Sequence, residues 1–231
     1  MLGVIGGTGF ENFFKGMEVP IHTHYGTARV ILDQKHHIAF LPRHGFDHTV
    51  IPHNINHRAN ISAMKKLGVK GVVGINACGI ISRFSVGDIV LIQDFIAFHA
   101  PIFTFLEKLE NLEQHSVMNP PFSKSLGDKI ISAARKAHVR LKKGGIVAFA
   151  NGPRYETPAE VKAFQKLGAN LVNMTIAPEA ILAKEYHLDY CAIAVATDKA
   201  LATASGKKIL DVAHAKNPLV AKIVLALGAV V

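Results

Sequence analysis

Cysteine is scarce: two residues in 231, Cys78 and Cys191, each in apolar, strand-like surroundings and neither in a CxxC pair. That excludes a disulfide framework and a thiolate zinc site, and it predicts buried free thiols in a reducing compartment. Long apolar runs are missing too. No stretch approaches the roughly 20 residues that a membrane helix needs. Met1-Leu-Gly-Val-Ile5 runs into a glycine turn before it reaches the length of a secretion-signal core. The expectation is a cytoplasmic protein with no membrane partner. Repeats, low-complexity tracts and linkers are absent, so a single domain over residues 1–231 is the simplest organisation.

Acidic residues are in the minority, 17 against 26 Lys and Arg, for a formal charge of +9 with thirteen histidines besides. Three readings fit: a solvated basic surface, an anionic small substrate, or nucleic acid. The cations are scattered. Their densest groups, Lys65-Lys66, Arg140 to Lys143 and Lys207-Lys208, fall on expected surface helices or turns with few aromatics beside them. Without stacking platforms, nucleic acid ranks last.

The hydrophobic pattern alternates between strand and helix. Expected strands are Leu2 to Ile5, Val30 to Leu32, His37 to Leu41, Gly71 to Ile75, Gly87 to Asp94, Gly145 to Phe149, Leu171 to Met174 and Tyr190 to Thr197. Expected helices are Asn56 to Leu67, Lys124 to His138, Pro158 to Leu167, Pro178 to Tyr186 and Asn217 to Leu227. Pro101 to Pro121 has no clear periodicity and reads as a long excursion. The class is α/β around one sheet.

Several chemistries lack their motifs. Gly7-Thr-Gly9 would need a third glycine at position 12 to be a dinucleotide fingerprint, and that residue is Asn12. No Gly-Lys-Ser/Thr follows, so a Walker loop is excluded. The close histidine pairs His22/His24, His36/His37 and His53/His57 form no HExxH and join no cysteines, so no metal is expected. No GxSxG elbow supports a serine hydrolase. What is present is polar residues where apolar strands end: Thr8 in Gly6-Gly-Thr-Gly9, Arg43-His44, Asn76-Ala77, Thr175 and Asp198. In open α/β sheets those ends line the ligand crevice, and guanidinium, hydroxyl and turn N–H groups there suit a phosphate. The loop Asn151-Gly-Pro-Arg-Tyr-Glu-Thr-Pro-Ala-Glu160 carries charges that neither a core nor a simple turn requires, which points to binding. A carboxylate such as Asp198 beside a crevice can donate or take a proton.

As a set, Gly3-Val-Ile-Gly-Gly-Thr-Gly9, Pro42-Arg-His-Gly45 with His48, Asn56-His-Arg-Ala-Asn-Ile61, Asn76-Ala-Cys-Gly79, Gly87-Asp88, Gly152-Pro-Arg-Tyr-Glu156, Asn173-Met-Thr175, Pro178-Glu179 and Ala196-Thr-Asp198 resemble the purine nucleoside phosphorylase family, in its methylthioadenosine/methylthioinosine phosphorylase branch. The resemblance implies a central mixed β-sheet, partly closed into a barrel and flanked by helices. It implies a homotrimer and a reaction in which inorganic phosphate attacks C1′ of a purine nucleoside, with no metal or organic cofactor. By motif, Thr8, Arg43, His44, Asn76, Ala77 and Thr175 would hold phosphate. Met174 would contact the ribose. His48 and His115 would lie near the sugar, His115 on the excursion that in the family reaches a neighbouring subunit. Tyr155 would pack along the base, where the family usually has phenylalanine. Asp198, protonated, would serve the purine N7.

The chain departs from that pattern in two informative places. The 6-aminopurine enzymes usually carry Asp-x-Asp, and here the second position is Ala200. They also usually have serine or threonine where this chain has Glu156, which resembles the 6-oxopurine enzymes. A carboxylate accepts the N1–H of hypoxanthine and repels the N1 lone pair of adenine. Asp198 leans the other way, since 6-oxopurine enzymes usually have asparagine there. The balance favours a 6-oxopurine, with methylthioinosine ahead of methylthioadenosine and inosine. In the segment Lys207 to Val212, Ile209 or Val212 would face the sugar 5′ end, and both suit a methylthio group.

Overall fold

A computed structural model describes residues 1–98, 103–201 and 205–231. The first two residues of the expected 101–121 excursion lie outside that set. Nine strands form one mixed sheet: β1 (Leu2–Gly6), β2 (Met17–Thr23), β3 (Gly26–Asp33), β4 (Ile38–Pro42), β5 (Val72–Ile80), β6 (Ile89–Ile96), β7 (Leu141–Phe149), β8 (Leu171–Asn173) and β9 (Tyr190–Lys199). Their order is β2-β3-β4-β1-β5-β8-β7-β6-β9, and β9 pairs again with β5. Strands β5, β8, β7, β6 and β9 therefore close on themselves as a small barrel, and β1 to β4 extend it as an open wing. The barrel-like sheet expected from the resemblance is what the chain forms.

Around it stand α1 (His57–Lys66), α2 (Lys124–Lys136), α3 (Pro158–Lys166), α4 (Ile176–Glu185) and α5 (Gly206–Gly228). The central strands β1, β5 and β9 run parallel and are covered on both faces. This is why they read as continuous apolar runs rather than alternating ones. Helix ends agree with local chemistry. Asn56 caps α1 by accepting from Ala59 N–H at 2.9 Å, and Ser123 caps α2 by accepting from Leu126 at 3.2 Å. Pro158 occupies the first turn of α3, as its fixed φ favours. Leu126, Ile130 and Ala134 of α2 are buried together.

Three expectations need correction. Strand β2 was not legible: of its seven residues only Ile21 is buried, and Pro20 sits on a sheet edge, so no alternation marks it. Helix α5 begins at Gly206, not near Asn217, and carries Pro218 within it, on an exposed turn where the ring meets solvent. Strand β7 starts at Leu141, so Lys142 and Lys143 belong to a strand rather than to a surface helix or turn. Cys78 and Cys191 are buried and free, as expected.

Candidate active site

Arg43 follows β4 and turns inward. Its Nε and Nη2 both donate to the carboxylate of Glu179 on α4, the latter at 3.0 Å. Nη1 donates to Ile75 O at 3.0 Å and Nη2 also to Ile5 O at 3.4 Å. Glu179 Oε2 accepts a further bond from the Tyr190 hydroxyl at 2.7 Å. All three side chains are buried, so the pair depends on these bonds to offset desolvation. Two glycines make room. A Cβ on Gly7 would lie 2.2 Å from Arg43 Nη1, and one on Gly74 would lie 2.2 Å from the Tyr190 hydroxyl. Of the five guanidinium N–H groups, these contacts use four among the described residues. One Nη1–H remains, beside the Gly6–Gly9 turn.

His57, the first residue of α1, closes the network from the other side. Its Nδ1 lies 3.9 Å from Glu179 Oε1, and no hydrogen-bond partner reaches it among the described residues. Burial, then the neighbouring charge of Arg43, pushes its imidazole down to about 3. His44 is also buried, and its Nδ1 meets Val50 O at 2.8 Å. Burial and Arg43 push it down to about 4. It is therefore neutral at pH 7, its Nδ1–H donates to Val50, and its Nε2 carries a lone pair. Next to it His48 is held by Glu11 at 2.5 Å, and Glu11 also accepts from Gly9 N–H at 2.9 Å. Burial alone would raise the Glu11 carboxyl, but these bonds outweigh it and hold the group low.

Thr175 is the N-cap of α4. Asn173 Oδ1 accepts from the N–H groups of Thr175 at 2.7 Å and Ile176 at 2.8 Å, and from the Thr175 hydroxyl at 3.1 Å. The helix N-terminus is thus fixed at the floor of a cleft, where its dipole favours an anion.

That cleft measures about 670 Å³, the size of a small-molecule site. Thr8, Arg43, His44, His48, Ala77, Met174, Thr175, Tyr155, Glu156, Asp198, Ala200 and Ile209 all line it. Glu156 and Asp198 are its carboxylates. Burial raises both, and each Coulombic neighbour of Glu156 except Arg154 raises it further. Asp198 accepts from the Thr197 hydroxyl at 2.7 Å, which opposes the rise only in part. Arg154, two residues from Glu156, is turned away. Its Nη1 and Nη2 donate to the two oxygens of Glu160, each at 2.7 Å.

The family model of the phosphorylase superfamily matches residues 2–228. This chain belongs to that superfamily. It is 36% identical over 216 residues to a probable S-methyl-5'-thioinosine phosphorylase of Methanopyrus kandleri, covering 91% of this chain and 83% of the relative. It is 38% identical over 213 residues to a probable 6-oxopurine nucleoside phosphorylase of Moorella thermoacetica, covering 88% of this chain and 81% of the relative. Among solved structures, an adenosine/methylthioadenosine phosphorylase variant of Schistosoma mansoni in complex with methylthioadenosine superposes with a TM-score of 0.90 at 30% identity. That superposition covers 99% of this chain and 90% of the other.

Within this superfamily member, the strand-end residues converge as expected, with corrections. Asn76 and Ala77 lie inside β5 beside a bulge at Cys78 and Gly79, not at a strand end. Asn76 does not line the cleft. It is fully buried behind Thr175, whose single hydroxyl hydrogen is shared between Asn173 Oδ1 and, at 3.3 Å, Asn76 Oδ1. Val212, one turn further along α5, is not among the lining residues, whereas Ile209 is. His115 lines a separate surface cleft with Thr104, Lys108 and Glu185. The Arg43 fork faces Glu179 rather than the cleft. Glu179, Tyr190, His57, Glu11 and Asn173 had no role assigned from sequence. Glu179, His57 and Asn173 stand within the family-like motifs, and Glu179 is also a carboxylate inside the apolar run Ile176 to Ala183. Among the described residues no cluster of three or more metal-ligating side chains occurs, and no helix is long and apolar enough to cross a membrane.

Proposed function

We propose that this chain catalyses the phosphorolysis of a purine nucleoside, S-methyl-5'-thioinosine foremost, releasing hypoxanthine and 5-methylthioribose 1-phosphate. The observation that carries the reading is one cleft in which Thr8, Thr175 and the α4 N-terminus stand together with two carboxylates, Glu156 and Asp198, that burial raises. Thr8, the remaining Nη1–H of Arg43, Thr175 and the α4 N-terminus would bind phosphate, with Ala77 beside them. His44 Nε2 is an acceptor, so it would take the hydrogen of phosphate's own hydroxyl rather than donate. Asn76 contributes from behind by orienting Thr175.

A phosphate oxygen forms the new bond to C1′ as the C1′–N9 bond breaks and its electron pair passes to the purine. Positive charge on the sugar is met by the phosphate, and negative charge on the base by a proton from Asp198 at N7. Met174 and His48 would contact the ribose, Tyr155 the base plane and Ile209 the methylthio group. Ala200, in place of a second aspartate, and Glu156 favour a 6-oxopurine.

The reading needs no metal or organic cofactor, since phosphate is the co-substrate. It also carries one domain, a cytoplasmic location, supported by the free thiols, and a homotrimer. Leu112 and Val117, 78% and 71% exposed on the excursion, support an apolar contact with another copy. His115 would meet a site only across that contact. Light scattering checks the assembly.

The test is a panel of methylthioinosine, methylthioadenosine, inosine, guanosine and adenosine, each with and without phosphate. Purine release that requires phosphate, fastest with methylthioinosine, supports the proposal. Release without phosphate indicates a hydrolase. No release, with steeply salt-dependent DNA or RNA binding, indicates a nucleic-acid protein.

A further inference from the structure

Glu156 stands in the cleft with no ion pair among the described residues, although an arginine is two residues away. The charged and titratable groups around it, among the described residues, are these. From its own loop come Arg154 and Tyr155. Arg154 is clasped by Glu160 through two bonds of 2.7 Å, and Glu160 in turn accepts from Thr157 N–H at 2.8 Å in the capping box of α3. From β9 comes Asp198, which repels a second negative charge, as does Glu160. Across the cleft, Arg43 is spent on Glu179, His48 is paired with Glu11, and His44 is neutral. The helix cap thus engages Arg154 through both Nη atoms, and its remaining pull on Glu156 is outweighed by burial.

We propose that the Arg154–Glu160 clasp makes Glu156 a protonation-dependent reader of the base, so that this one cleft takes 6-oxopurine nucleosides when Glu156 is ionised and 6-aminopurine nucleosides when it carries a proton. The inference rests on the phosphorolytic reading above. Its chemistry follows from hydrogen-bond inventory. N7 is an acceptor in both bases, so the pair's first proton sits on Asp198. An ionised Glu156 then accepts N1–H of hypoxanthine and can only repel N1 of adenine. With a second proton, its O–H donates to adenine N1 and its carbonyl oxygen accepts from the 6-amino group. Protonation of Glu156 is the step that controls the choice of base. Burial and Asp198 both move Glu156 toward the range in which an assay can see this step.

The experiment measures kcat/KM for methylthioinosine and methylthioadenosine from about pH 5 to about pH 8, the range above ordinary carboxylate titration, in the full chain and in Glu156→Gln and Glu160→Gln. Glutamine at 160 keeps the capping box but drops the charge that holds Arg154. In the parent, the oxo/amino ratio should fall as pH falls, on the order of tenfold or more, the cost of one mismatched buried hydrogen bond. In Glu156→Gln the ratio should not change with pH. In Glu160→Gln the freed Arg154 should keep Glu156 ionised longer, moving the fall about one pH unit lower. A parent ratio that is flat while both nucleosides are cleaved overturns the inference alone, as does a Glu160→Gln curve superimposed on the parent's. Absence of phosphate-dependent purine release from either nucleoside removes the phosphorolytic reading, and the inference with it.

Discussion

The least replaceable residues are those that share charge without water. Glu179 holds Arg43 and Tyr190 in a fully buried network. Glu179→Gln should destabilise the fold by about 3–5 kcal/mol, because the guanidinium would be left buried and uncompensated; denaturant unfolding measures it, and a loss under 1 kcal/mol would contradict the network's role. His57 and His44 set an acid limit. Unfolded, both titrate near about 6.5, whereas in the fold they lie at about 3 and about 4. Below pH 6.5 the unfolded chain gains protons that the folded one refuses. Stability therefore falls with falling pH, by about 1.4 kcal/mol per unit for each histidine, until the folded values are reached. Glu156 and Asp198, raised by burial, act with the opposite sign. His57→Leu should lose about 2 kcal/mol less than the parent between pH 7 and pH 5 in phosphate-free buffer, as urea titrations at the two pH values would reveal. Asp198→Asn keeps a donor at N7 but no transferable proton, and kcat should drop by about 10²–10⁴. Full turnover on every purine would remove Asp198 from the mechanism.

At the scale of elements, the site depends on two helix starts. Asn173 fixes the N-terminus of α4 at the cleft floor, and the capping box of α3 fixes the Arg154–Glu160 clasp. Thr157→Ala removes the bond that Thr157 Oγ1 accepts from Glu160 N–H at 3.2 Å. It should cost about 1 kcal/mol, read as a lowered Tm with the fold intact by circular dichroism. The elements that could be located from sequence were those whose packing repeats along the chain. Strand β5 shows itself as a continuous apolar run and helix α2 through its helical burial period. Strand β2 is an edge with one buried residue, and the first half of α5 mixes lysines with apolar residues ahead of Pro218, so neither carries a local period.

At the scale of the whole molecule, the proposed phosphate site would draw on β1, β4, β5 and α4, segments far apart in the chain, so the anion should stabilise the fold. At about 100 times its Kd, phosphate should add about 2.7 kcal/mol. A thermal shift that saturates with phosphate and is absent with equal ionic strength of chloride would register it, and no difference between the two salts would speak against the site. The amino-acid order alone was enough for the family, the α/β class, the presence of Glu156 and Asp198 in one cleft and the convergence there of Thr8, His44 and Thr175, because these depend on local strand-end chemistry and ordered motifs. Only the tertiary structure decided where Arg43 spends its charge, that Asn76 stands behind the cleft, that Ile209 rather than Val212 faces it, and that Glu160 withdraws Arg154. Each of those outcomes is a competition between partners distant in the chain or turned by a helix, and burial and geometry, not residue type, determine which partner wins.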